Sequence, residues 1–483
     1  MKTKYIFTGL IMMLFLGSCD LDTIPTSAVT VDNFFTTDEE IETGIINIYD
    51  ALQGSNPLEG SSDIFGNGFN HVFLGIQIEY QMGEVLSDNA RTKSGSPQGF
   101  DFEIFNVMPQ TLAVTTYYRS MYRIIFNANV VLENLEDASQ ENAVKFEAEA
   151  RFLRAYAYFN LVRYYGDVPL VNRTIAPDEV GLAFTRVPQN QIYDFILSDL
   201  QFAENSGIDI SSRSRASRGA IQTLLAKVHL TLGNYLDAQV LLESVIASNN
   251  YSLESNFFDV FYNESNSETV FSIEFDATQV NDSQGFSAEF LDAVGRGTGT
   301  NYATDELVAA FDAIGGNRGQ VSFRGDPGNP GLFQTAKFLP IEDTNVGDIP
   351  VPSNPRIAGN DFIVIRYADV LLLHAEAIMA GGTVTSSMDA ITSFNLVRER
   401  AGTSAPITEL TKQMLMDERR VELAFENHRF LDLKRFGVAQ EVLSAFSAAN
   451  NHDFQAFELL LPIPSAEISI SQGLLTQNPG YPN

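Results

Sequence analysis

The chain has 483 residues, 45% of them apolar, enough for a sizeable core in two or three domains or in one large architecture. Its 61 Asp and Glu against 30 Lys and Arg leave a formal charge of −31, which argues against nucleic acid, whose phosphates need clustered cations. With 36 Phe and 17 Tyr the chain does not read as disordered, and a single Cys excludes internal disulfides and multi-cysteine metal sites.

Lys2 and Lys4 precede an apolar run from Tyr5 to Leu16, and Gly17-Ser18-Cys19 follows. This is the charged, apolar and small-residue order of an export signal. The run is too short to cross a bilayer core of about 30 Å as a helix. Leu16-Gly17-Ser18-Cys19 resembles a bacterial lipobox, in which cleavage precedes the cysteine and its sulfur carries diacylglycerol. Residues 1–18 therefore read as a signal peptide, Cys19 as the lipidation site, and 19–33, with Pro25 and several Ser and Thr, as a tether.

Apolar residues at helical spacing predict a helix over Asp38–Leu52, and a second over Val72–Leu86. Gly95, Pro97, Gly99 and Pro109 mark residues 88–111 as loop, with Phe100, Phe102 and Phe105 interleaved. Thr116–Leu135 and Asn142–Tyr165 are apolar on more than one face, which predicts buried helices. The stripe Tyr156, Tyr158, Phe159, Tyr164 and Tyr165 reads as core rather than as a sugar-stacking surface, and Gly166-Asp167-Val168-Pro169 ends that helix. Gln189–Ala203 and Gly219–Leu232 follow, and Gly233-Asn234-Tyr235 turns the second into another helix through Ala238 and Leu242. That hairpin resembles a tetratricopeptide unit, and Tyr367–Met379 with Met388–Arg400 repeats it more loosely.

Residues 251–360 are rich in Gly, Asn, Asp and Pro, which predicts functional loops on a rigid body, flanked by strand-like runs at Thr269–Phe275 and Phe362–Ile365. A helix over Thr411–Phe425, continuing to Phe436, and an extended tail over Leu459–Asn483 complete the chain. The predicted fold is mostly α: a tetratricopeptide-like helical hairpin scaffold carrying a loop-rich region with a few short strands. Its parts are 34–250, 251–360 and 361–483, within one compact unit over 34–483.

No Walker loop, G-x-S-x-G elbow or H-E-x-x-H motif is present. His71, His229, His374, His428 and His452 are scattered, and Gly295, Gly297 and Gly299 do not sit between a strand and a helix as a dinucleotide loop requires. Glu422 and Glu426, four apart, have the spacing of a glycosidase pair, but Arg419, Arg429 and Arg435 near them favour a structural ion-pair network. Glu147, Glu149, Arg151 and Arg154 read the same way. No cofactor is predicted. An acidic loop zone offers oxygen ligands of the kind calcium takes, but no EF-hand loop occurs.

Four separated blocks together resemble one family. They are Glu149–Phe159 closing on Tyr164-Tyr165-Gly166-Asp167-Val168-Pro169-Leu170, Arg366–Leu373 with Ala375-Glu376-Ala377, Glu418–Arg435, and the tail Leu461-Pro462-Ile463-Pro464 with Gln477–Tyr481. In this order they are similar to the SusD/RagB family of Bacteroidetes outer-membrane lipoproteins. The resemblance implies a non-enzymatic, lipid-anchored receptor at the cell surface. It would capture nutrient oligosaccharides and pass them to a SusC-like TonB-dependent transporter. A peptide receptor of the RagB type is the alternative, which the absence of Trp supports, and a surface glycoside hydrolase using Glu422 and Glu426 is a third reading.

Sugar sites combine aromatic platforms with planar polar groups that bond hydroxyls. The loops 88–105 and 286–333 are best furnished with both. The candidate ligand residues are Asp88, Asn89, Arg91 and Phe100 from the first, and Arg296, Asn301, Tyr302, Phe323, Arg324 and Asp326 from the second.

Overall fold

The computed structural model describes residues 34–54, 75–92, 99–176, 178–208, 210–264, 266–276, 278, 284, 302–326, 329–338 and 358–482. Cys19 and its tether, and the glycines 295, 297 and 299, lie outside these residues. The helices that build the scaffold are α1 (Asp38–Gln53), α2 (Leu112–Glu133), α3 (Gln140–Tyr165), α4 (Gln189–Asn205), α5 (Arg218–Thr231), α6 (Tyr235–Ala247), α7 (Asp305–Ile314), α8 (Tyr367–Met379), α9 (Met388–Arg400), α10 (Lys412–Glu422) and α11 (Arg429–Arg435). The strands that matter here are β1 (Ala90–Arg91), β2 (Thr269–Ile273), β3 (Tyr302–Ala303), β4 (Phe323–Gly325), β5 (Phe333–Thr335) and β6 (Phe362–Arg366).

Local signals set most helix ends. Thr37 accepts a hydrogen bond from the Glu40 amide at the start of α1, where Asp38, Glu39 and Glu40 also favour the helix dipole. Ile41, Ile45, Ile48 and Leu52 then form its buried stripe. Ser139 and Ser217 cap α3 and α5 in the same way. Gly166 ends α3 with φ of 75°, and a side chain there would strike Leu460. Tyr156, Tyr158, Phe159, Tyr164 and Tyr165 are all buried, so the tyrosine stripe is core.

The helices pair in sequence: α2 on α3, α3 on α4, α5 on α6, and α8 on α9. The α5–α6 hairpin then stacks its second helix on α8, as tetratricopeptide-like units require to bury their apolar faces. A separate cluster of Leu371, Leu372, Ile391, Phe394 and Leu415 fills the second hairpin and meets Ile246 of the first. Among the described residues, no helix is long and apolar enough to cross a membrane.

Four expectations are corrected. The helix expected over Val72–Leu86 is described from Gly75 and changes at Gln81 into a π-turn that ends at Val85. Gly83 lies there against the Asn427 backbone, where a Cβ would come within 2.8 Å of Asn427 Cα. The loop zone 251–360 contains helices at Phe257–Tyr262, Asp305–Ile314 and Gly319–Ser322, and the 88–111 loop holds a single turn at Phe100–Glu103. The tail is not wholly extended: it forms a helix over Ser465–Ile470 and is held to the end of α3 by Asn478, which donates to Tyr165 O at 2.9 Å.

The fourth correction has the clearest cause. The helix expected to run from Thr411 to Phe436 stops at Glu422, and Phe425 and Asn427 turn the chain with φ of 68° and 66° before α11. The Glu422 carbonyl, which would accept the next helical bond from Glu426, instead accepts from Lys337 Nζ at 3.0 Å and Arg366 Nη2 at 2.6 Å. Cations from distant parts of the chain break the helix.

Those cations belong to a buried charge cluster. Arg366 bonds Glu268 at 2.7 Å, Glu422 at 2.5 Å and Glu426 at 2.6 Å. Arg318 bonds Glu418 and Glu422, Lys337 bonds Glu426, and Arg400 bonds both Glu268 and Glu422. Four cations thus meet four carboxylates. The ion-pair reading of Glu422 and Glu426 holds, but with other partners than those near them in sequence. Arg419 pairs with Asp369 and Asp432, Arg435 with Glu376 and Asp432, and Arg429 with Asp88. Glu147 does pair with Arg151, while Glu149 pairs with Arg215 and Arg154 with Asp199.

Removing one member leaves its partners charged and dry. Arg366→Met is expected to lower unfolding free energy by about 3–5 kcal/mol in urea titration. Arg91→Ala, which removes an ion pair to the exposed Asp305, should cost less than about 1 kcal/mol. Equal effects of the two would contradict this account.

Candidate functional site

The two loops singled out in the sequence meet on one antiparallel sheet of order β1-β3-β5-β4. Arg91 lies opposite Tyr302, Tyr302 opposite Gln334, and Arg324 opposite Gln334. Residues more than 200 positions apart thus share one surface. β4 and β5 form a hairpin closed by Asp326, whose amide donates to Leu332 O at 2.8 Å and whose carboxylate accepts from Asn329 Nδ2 at 2.7 Å.

The candidate residues divide by burial. Asp88 is buried and bonds Arg429 at 2.7 and 2.9 Å and Arg420 at 2.9 Å. Asn89 accepts from Arg420 Nε at 2.9 Å and donates to Glu84 at 3.0 Å. Tyr302, also buried, donates to Asp326 at 2.8 Å and accepts from Gln334 Nε2 at 3.1 Å. These four residues build the sheet and fix it to α10 and α11. Arg91, Phe100, Phe323 and Arg324 keep solvent-facing surface. Arg296 and Asn301 lie outside the described residues.

The sheet's aromatic surface is larger than the sequence indicated. Phe323 packs edge-on against Phe311 of α7, ring centres 4.7 Å apart, and against Phe333 at 5.3 Å. On the face opposite these rings, Arg324 Nη1 and Gln334 Oε1 are buried polar atoms without a hydrogen-bond partner among the described residues. Phe333 and Gln334 were missed. The signal for them was the run Asp326–Gly331, whose turn residues separate two short Phe-led segments as in a hairpin.

Electrostatics separate structural from reactive groups. Burial alone would raise Asp88, but Arg420 and Arg429 outweigh it and hold the carboxyl at about 2. Burial pushes Glu84 up to about 7 against the Asn89 hydrogen bond. Burial opposes ionisation of Glu422 too, yet Arg400, Arg366 and Arg318 keep it well below the usual carboxylate range, and Arg366 and Lys337 lower Glu426. Both are buried and tied to cations, so neither can supply the acid of a glycosidase pair. Among the described residues, no group of three or more His, Cys, Asp or Glu is placed to hold a metal ion.

The Asp88 carboxyl titrates lower in the folded chain than in the unfolded one. Its contribution is therefore complete above pH 4 and lost as pH falls towards 2. In acid titrations followed by urea unfolding, the native chain should lose about 2 kcal/mol across that window that Asp88→Asn does not lose. Parallel curves for the two proteins would contradict it.

Comparison with known proteins follows the same outline. A family model described as the SusD family matches residues 249–481, and one described as starch-binding, associating with the outer membrane, matches 74–230. A SusD-like protein of Formosa agariphila is 26% identical, with all of both chains covered. The starch-binding protein SusD of Bacteroides thetaiotaomicron is 23% identical, again over the whole of both chains. Among solved structures, a laminarin-binding SusD-like protein superposes with a TM-score of 0.75 at 24% identity, covering 92% of this chain and 100% of that one. Surface glycan-binding protein A of Bacteroides thetaiotaomicron, in complex with laminarihexaose, gives 0.73 at 20% identity, with 92% and 100% covered.

Proposed function

The chain belongs to the SusD/RagB family, and from that premise we propose that it binds neutral oligosaccharides without cleaving them. The observation that carries this reading is the sheet surface itself. Two remote loops converge there, with the Phe323–Phe333 pair on one face of the sheet and the part-exposed Arg91 and Arg324 on the other. Rings provide apolar platforms for the C–H faces of sugars, and the planar polar groups provide donors and acceptors for hydroxyls. The strong negative charge of the chain favours neutral glycans over uronic or sulfated ones. The laminarin and starch named for its relatives make β- and α-linked glucans the first ligands to test.

The remaining parts of the proposal concern place and partner. Cys19 carries the lipid anchor at the outer membrane, with the folded part, residues 34–483 as one unit, exposed at the cell surface. The protein delivers its ligand to a SusC-like TonB-dependent transporter. The arrangement of Glu422 and Glu426 supports a receptor rather than a hydrolase, since their charges are consumed by the fold.

Calorimetric titration of residues 20–483 with laminarihexaose, maltohexaose and a tryptic peptide mixture tests the reading. Saturable binding of an oligosaccharide, with the sugar recovered intact, is expected. Arg324→Ala should weaken that binding at least tenfold, and Phe323→Ala should do so with a lowered melting temperature from the packing it loses on Phe311 and Phe333. Binding of peptides alone would overturn the glycan assignment in favour of a RagB-type receptor.

A further inference from the structure

A second concave surface lies on α2, built from none of the sheet residues. Tyr118, Tyr122 and Phe126 recur every fourth position, so they form one stripe along the helix. The stripe faces Val171, Ile175 and Phe184 across a cavity of about 270 Å³. That volume is just under the 300–1,000 Å³ or so of small-molecule sites, room for one ring or two.

The walls are held in place before any ligand arrives. The Tyr118 ring packs on Tyr122 at 4.9 Å and edge-on against the buried Tyr165 at 5.1 Å. Tyr122 donates to Pro169 O at 2.8 Å and meets the buried Tyr158 ring edge-on. Phe126 differs: it is 55% exposed, so its ring is open to solvent at the edge of the cavity.

The polar groups at the rim narrow the ligand class. Arg119 bonds Glu467 through Nε at 2.6 Å, and Arg173 bonds Glu179 at 2.6 and 2.8 Å. Glu467 on the rim and Glu179 behind it offset the two arginines, so the rim selects neither an anion nor a cation. A purely apolar ligand would cover the Arg119–Glu467 pair and leave it desolvated without new hydrogen bonds. A pyranose fits both features: its C–H face lies on aromatic rings, and its hydroxyl edge both donates and accepts. We propose that this groove is a second saccharide site, taking one neutral pyranose unit of a bound oligosaccharide.

This inference rests on the oligosaccharide-binding reading and can fail separately from it. The test is calorimetric titration of residues 20–483 with laminarihexaose and maltohexaose, using Phe126→Ala, Arg119→Ala and Arg324→Ala. Phe126 is exposed, so its variant should fold with unchanged melting temperature. Two sites per chain are expected for the native protein. Arg324→Ala should retain one of them, and adding Phe126→Ala or Arg119→Ala should weaken that remaining site at least tenfold. A single site that Phe126→Ala leaves untouched would overturn the groove and spare the sheet. Failure of both oligosaccharides to bind would overturn the groove together with the function it rests on.

Discussion

Arg366 is buried among four carboxylates and three other cations, and much of the surrounding structure follows from satisfying it. Burying that many charges is costly and is tolerable only when every charge is paired and hydrogen-bonded. By capturing the Glu422 carbonyl, Arg366 and Lys337 end α10 and force the left-handed turn at Phe425 and Asn427. That turn packs on Gly83, and the His428 amide donates to Glu84. Glu84 in turn holds Asn89, and Arg420 and Arg429 hold Asp88. Asn89 leads directly into β1 and the candidate sheet. A chain of packing and polar contacts therefore runs from the scaffold's charged centre to the candidate surface.

The sequence was informative where structure is local. Apolar periodicity placed α1 and α3 to within a few residues, and the limits of α8 and α9 were read directly. The end of α10 was hidden because the breaking groups, Lys337 and Arg366, lie 85 and 56 residues away. The ion-pair character of Glu422 and Glu426 was legible from composition, yet their partners were not, since helical neighbours such as Arg419 turn to other elements. The four short strands of the candidate sheet are two or three residues long, below the length at which alternation gives a signal.

The candidate site shows the same division. Asp88, Asn89, Tyr302 and Asp326 have the chemistry of ligand donors and acceptors, but the fold uses it for Arg420, Arg429 and the β4–β5 hairpin. Sequence alone does not say whether a polar loop residue faces inwards. Arg91, Phe323 and Arg324 keep part of their surface exposed on the sheet that those buried residues hold rigid. Such rigidity favours binding, because the surface loses little conformational freedom when a ligand docks. Without Trp, both proposed sugar surfaces depend on pairs of smaller rings.

The central claim is that a preformed sheet, fixed by buried charges, is where oligosaccharide binds. Hydrogen–deuterium exchange of residues 20–483 with and without saturating laminarihexaose tests it most directly. The account predicts new protection in segments 90–92, 302–304 and 322–335, with no change across 418–435, where the charge cluster is already closed. Bound sugar that leaves those strands unprotected, or that reorders 418–435, would contradict it.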